Sequence, residues 1–266
     1  MKHEILTITP EMAKVMLGRN ANNRPLNKIT VSRYASEMKD GRWKLNGEPI
    51  ILNGTRLMDG QHRLHACVLS GVSFTSLVVE GVGDDVFDTI DQGDKRTASN
   101  VLHMAGIPNG NVIGSAVRWI VTLRACMGRA AITSYAAAKT CSSTMVLEFV
   151  KNNPTISVSA RTALNTYTTC RVYTPSFLTA FHFLACEIDQ QAADDFMRGI
   201  GTGEGLPSGD PRLTLRNRMV ERAMKIHKER NEWVAVLFIY AWNAHREGRM
   251  LKKLLYREGD RVPAMI

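Results

Sequence analysis

Residues 49 to 68 constrain this chain more than any other stretch. Pro49-Ile50-Ile51-Leu52 reads as a buried strand, Asn53-Gly54 is a hairpin-turn dipeptide, and Thr55 to Met58 reads as the returning strand. Asp59 then stands where a helix N-cap belongs. Leu64, Cys67 and Val68 follow at i, i+3, i+4 spacing and give that helix a core face. The spacing therefore predicts Gly60, Gln61, His62 and Arg63 in an exposed first turn.

Such a turn has a chemical use. The first N–H groups of a helix have no partner within it, and its dipole makes that end positive. Glycine lets a phosphate approach the backbone, while His62 and Arg63 offer donors to phosphate oxygens. The same spacing serves a structural use equally well, with Asp59 capping the helix and Arg63 pairing with it at i+4.

The flanking pattern extends this unit. Glu4 to Thr7 alternates as a strand, Thr9-Pro10 starts a helix, and residues 19–25 (RNANNRP) form a loop by composition. Asn27 caps a helix ending at Asp40-Gly41, with Arg33–Glu37 as an outer i,i+4 pair. Gly71 closes the signature helix and Phe74 to Val79 is a further strand. Asp84 to Ile90 reads as a short helix and Asp91 to Lys95 as a polar loop, and Thr97 or Ser99 begins another helix. After Ile107-Pro108-Asn109-Gly110 strand alternation fades and amphipathic helices take over. Pro175 to Glu187 is apolar enough to centre a second core. The fold class expected is α/β (α+β), with a small mixed sheet over 1–106 and an all-α unit over 107–266.

The residues resemble a known group. Gly60-Gln61-His62-Arg63, after a strand and opening a helix, is similar to the phosphate-binding turn of the ParB/sulfiredoxin-like superfamily. Asn23-Arg24-Pro25 resembles that group's arginine segment, Ile29 to Trp43 its first long helix, and Gly47-Glu48-Pro49-Ile50 its lead-in to the strand. Asp91 to Arg96 resembles a diverged form of its Glu-Asn-x-x-Arg motif. The resemblance covers roughly residues 4 to 102.

It implies a Mg²⁺-dependent site for a nucleoside triphosphate, CTP or ATP, which is hydrolysed or gives up a phosphate. Arg24, His62, Arg63 and Arg96 would hold phosphates, the Gly60–Gln61 backbone beside Asp59 would complete the cradle, and Glu48 would act as base. Asp91 is the candidate for the metal, since Mg²⁺ takes one or two carboxylates. His62 is also a candidate proton carrier. The sulfiredoxin branch places a Cys before His-Arg; Gln61 stands there, so sulfinate reduction is not expected. His62 and His65 are three apart and lack the zinc-protease spacing. Gly201 to Gly205 lacks the Gly-Lys-Thr ending of a P-loop and reads as a hinge or surface loop.

Charge points to a partner. The formal net charge is +9, and residues 201–266 hold 13 Lys and Arg against 8 Asp and Glu. Nucleic acid is the partner this excess fits, a solvated face being the alternative. Arg249, Lys252, Lys253 and Arg257 are the candidate contacts. Trp233, Tyr240 and Trp242 are either a stacking surface or core. The second functional reading is a non-catalytic DNA-binding or adaptor protein, and a ParB-like nuclease lies between the two. A homodimer is left open. No run of eighteen apolar residues appears, the N-terminus lacks a signal-like apolar core, and the five cysteines are scattered, so a cytoplasmic protein with reduced thiols and no membrane contact is expected.

Overall fold

The computed structural model describes residues 1–20, 23, 25–54, 56–83, 97–128, 141–171, 173–224, 231–257 and 261–266. The chain divides into two compact units, Met1–Lys95 and Arg96–Ile266.

The first unit is a four-stranded mixed sheet with helices. Strand β1 (Lys2–Ile8) leads to helix α1 (Pro10–Leu17) and then α2 (Lys28–Lys39). Strands β2 (Ile50–Asn53) and β3 (Arg56–Asp59) are followed by α3 (Gln61–Ser70) and β4 (Phe74–Glu80). The order is β1-β4-β2-β3, with β4 antiparallel to β1 and parallel to β2, and β2 antiparallel to β3. Strand alternation sends Ile8, Phe74, Val78, Ile50, Leu52 and Leu57 into a core shared with Ala13, Val31, Ala35, Met38, Leu64 and Cys67 of the helices. Trp43 stands edge-on between Tyr34 (5.2 Å) and Phe74 (5.8 Å), joining the end of α2 to the sheet.

Local chemistry sets most boundaries. Thr9 caps α1 through the Met12 N–H with Pro10 at the first position, and the Asn27 side-chain oxygen accepts from the Ile29 and Thr30 N–H groups at the start of α2. Gly71 takes the left-handed conformation and ends α3.

Three expectations are corrected here. Asn53 pairs with Arg56 and is the last residue of β2, so it does not lie in the hairpin turn as the Asn53-Gly54 dipeptide suggests. Asp59 is not the N-cap of α3; it stays in the sheet opposite Ile51, and Gly60 is the cap. Glu37 does not lie on an outer face. It is buried and faces the Arg42 guanidinium at 3.6 Å, because the chain turns back at Gly41.

Every described element of the second unit is a helix: α4 (Ala98–Met104), α5 (Gly110–Cys126), α6 (Ser143–Asn152), α7 (Ile156–Thr169), α8 (Pro175–Cys186), α9 (Gln190–Thr202), α10 (Pro211–Met224) and α11 (Asn231–Arg246). Ala98 and Leu102 of α4 belong to this unit's core, so the helix beginning at Thr97 packs with the later helices. α8 is buried from Phe177 to Ala185, as its apolar composition requires. α9 approaches α10 closely at Gly199, where a Cβ would stand 2.5 Å from the Arg212 Cδ. That approach seats Arg212 on Asp210 and Asp195.

His182 lies inside this core, with Nδ1 3.0 Å from the Ser159 hydroxyl and Nε2 2.9 Å from Asp194. Burial holds its pKa below the ordinary imidazole value against the opposing pull of Asp194. Burial also lowers His65, and burial with the Arg212 charge lowers His245. The unfolded chain therefore takes up protons below about pH 6.5 that the folded chain refuses. Stability is complete above that pH and falls as pH drops toward the lowered native values. Denaturant midpoints at neutral and mildly acid pH check this, with a smaller acid loss in His182→Gln; identical profiles for the two proteins would contradict it.

Candidate functional site

The start of α3 gathers most of the described signature residues. Gly60 has φ +103° and no side chain caps the helix there. Its Gly identity is set by packing, since a Cβ would stand 2.3 Å from the buried Ile50 Cδ1. The turn is not the exposed one that helical spacing suggests. Gln61, His62 and Arg63 retain 5%, 9% and 8% of their surface.

The segment after α1 accounts for part of this burial. The Asn20 amide donates to Gln61 Oε1 at 3.2 Å. Asn23 Nδ2 donates to the Leu57 carbonyl at 2.7 Å and to Asn20 Oδ1 at 2.6 Å. The Leu57 N–H donates to the Arg19 carbonyl at 2.8 Å, so both backbone groups of Leu57 on the edge strand β3 are satisfied. The Asn27 N–H donates to His62 Nε2 at 3.1 Å. Asn20, Asn23 and Asn27 are site residues that spacing does not single out; the signal for them is the asparagine density of residues 20–27, a residue type that bonds neighbouring backbone in turns.

Arg63 has a structural occupation. Its Nη1 donates to the Glu48 carbonyl, and its Nη2 to the Pro49 carbonyl at 2.7 Å and to Asp59 Oδ2 at 3.0 Å. The i+4 pair with Asp59 that spacing allowed is thus present. Glu48 is brought to the turn through its backbone, and its side chain is exposed. Cys67 is core: its thiol reaches the Val72 carbonyl at 3.3 Å, and burial pushes its pKa up to about 11.

Arg24, Asp91 and Arg96 lie outside the described residues, as do the short helix expected over 84–90 and the loop at 91–95. Among the described residues no group of three His, Cys, Asp or Glu is placed to hold a metal ion.

No protein-family model, no curated protein and no solved structure matches this chain.

In the second unit several C-terminal cations are paired within the unit. Arg212 binds Asp195 and Asp210, Arg216 donates to the Ile200 and Gly201 carbonyls near the end of α9, and Arg246 pairs with Asp189. Arg249, Lys252, Lys253 and Arg257 are exposed, Arg249 pairing with Glu247. Trp242 is core, fully buried with its indole N–H on the Ile266 carbonyl at 2.8 Å. Trp233 stands edge-on to Tyr256. No helix of the described residues is long and apolar enough to cross a membrane.

Proposed function

We propose that the first unit binds a nucleoside triphosphate, CTP or ATP, by its phosphates at the start of α3, in the manner of the ParB/sulfiredoxin-like group. The protein then hydrolyses the nucleotide or transfers its phosphate, acting on or with DNA. One observation carries this reading. The Asn27 N–H bond to His62 ties the first residues of α2 to the first turn of α3, so two positive helix ends lie together where no side chain caps α3. Asn20 and Asn23, which flank or belong to the segment that the resemblance assigns to phosphate, bond to Gln61 and to the Leu57 carbonyl beside that turn.

The roles divide accordingly. The Gly60–Gln61 backbone and Arg24 address phosphate. Arg63 and Asp59 hold the turn in shape. Mg²⁺ would arrive with the phosphates and keep most of its waters, taking Asp91 and the exposed Glu48 as its carboxylates; when bound it neutralises phosphate charge. Exposed Lys252 and Lys253 favour a nucleic-acid contact in the second unit, which also suits the non-catalytic alternative.

A thermal-shift panel of CTP, ATP and GTP with and without Mg²⁺ tests the reading. Ligand at 100 times its dissociation constant adds about 2.7 kcal/mol, roughly 2–4 °C for a chain of this size. The expected result is a Mg²⁺-dependent shift that Arg24→Ala loses and Lys252→Ala keeps. No shift with any nucleotide would contradict it and leave nucleic acid as the leading ligand.

A further inference from the structure

We propose that the open edge of the sheet, strand β1, is a homodimer interface, where a second copy of this chain pairs its own β1 antiparallel about a two-fold axis centred on His3. The proposal stands apart from the phosphate reading.

The two edges of the sheet are treated differently. At the β3 edge, both backbone groups of Leu57 are bonded to the chain's own Arg19 and Asn23. At the other edge, β1 pairs with β4 in an unbroken register of seven residues, from Lys2↔Glu80 to Ile8↔Phe74. Among the described residues the outer side of β1 meets no strand. The strand has neither a proline nor a bulge, two devices that blunt a free edge. Its first residues are exposed, and they include two large apolar side chains, Met1 at 89% and Ile5 at 61%. A straight edge of this kind offers alternate N–H and C=O groups to another strand.

The charges of β1 select what fills that edge. Two identical strands related by a two-fold axis pair about a central residue, so that each face of one sheet continues into the same face of the other. Centred on His3, Lys2 lies opposite Glu4 of the second copy, and Glu4 opposite its Lys2. Lys2 already stands across from Glu80 of β4, so charges alternate along that row on both sides of the join. On the other face Ile5 lies opposite Met1 of the second copy, which extends the cross-strand pair of Ile5 with Leu77. Other centres are rejected. A centre at Lys2 sets lysine on lysine, and a centre at Glu4 sets glutamate on glutamate. A centre at Ile5 sets Lys2 against the fully buried Ile8 and Glu4 against Leu6, and leaves both charges uncompensated. The strand that satisfies this pattern is its own copy.

Sedimentation equilibrium of the full chain, from about 10 to 500 μM, suits the weak affinity of a small interface. The parent should rise from monomer toward dimer mass. Glu4→Lys and Lys2→Glu each set like charges opposite at two symmetric positions, and each should weaken association by about tenfold or more. The double variant Lys2→Glu with Glu4→Lys reverses both charges and should recover the parent's association to within about threefold. Both side chains are exposed, so all three variants should keep the parent's thermal midpoint. A parent that stays monomeric over the whole range overturns the proposal. So does a dimer that either single reversal leaves unchanged, or that the double reversal fails to restore.

Discussion

Replacing Arg63 with alanine is expected to destabilise the protein by about 3–5 kcal/mol, the usual cost of breaking a buried, hydrogen-bonded charge pair. The guanidinium bridges the lead-in to β2 and the end of β3, through the Glu48 and Pro49 carbonyls and Asp59. Its removal leaves two carbonyls and a carboxylate without those donors, at a turn that retains little solvent access. Lysine should not rescue, because one ammonium lacks the planar fork that spans the three acceptors. Denaturant unfolding of the parent, Arg63→Ala and Arg63→Lys measures this. A loss below about 1 kcal/mol, the range of an exposed pair, would show the side chain free to serve a ligand. The expected loss means that failure of Arg63→Ala to bind nucleotide is not by itself a sign of phosphate contact.

Phe181→Ala is expected to cost about 3–5 kcal/mol, the range for emptying an aromatic site in a packed core. Phe181 is fully buried on α8, with ring centroids 5.4 Å from Phe196 on α9, 5.4 Å from Phe238 and 6.2 Å from Trp242 on α11. It therefore joins three helices at once, and no single one can move to fill the space without losing the other contacts. Phe181→Leu should cost less than half as much. A thermal or denaturant midpoint for Phe181→Ala close to the parent's would contradict this placement of the second core.

The legible part of the sequence is local. Thr9-Pro10, Asn27, Gly71 and Thr97 mark helix ends through bonds made within a few residues, and each is found doing so. Strand alternation likewise sets the faces of β2 and β4. The illegible part depends on distant partners. Asp59 looks like a cap, but it pairs with Ile51 in the sheet and its carboxylate is taken by Arg63. The first turn of α3 looks exposed by helical spacing, but the segment after α1, far earlier in the chain, folds against it. The C-terminal arginines look like a basic surface, yet Arg212 and Arg216 are bound to acids and carbonyls within the unit, and the exposed Arg246 is paired with Asp189. Charge counts carry no information about which cations face water.

Hydrogen exchange of the full chain with and without a nucleoside triphosphate and Mg²⁺ tests the central claim most directly, because it reports where a ligand acts as well as whether it binds. The account predicts slowed exchange at the amides of Gly60 to His62 and of residues 23 to 29, with the helices of the second unit unchanged. Protection confined to the second unit, or none at saturating nucleotide, would contradict it.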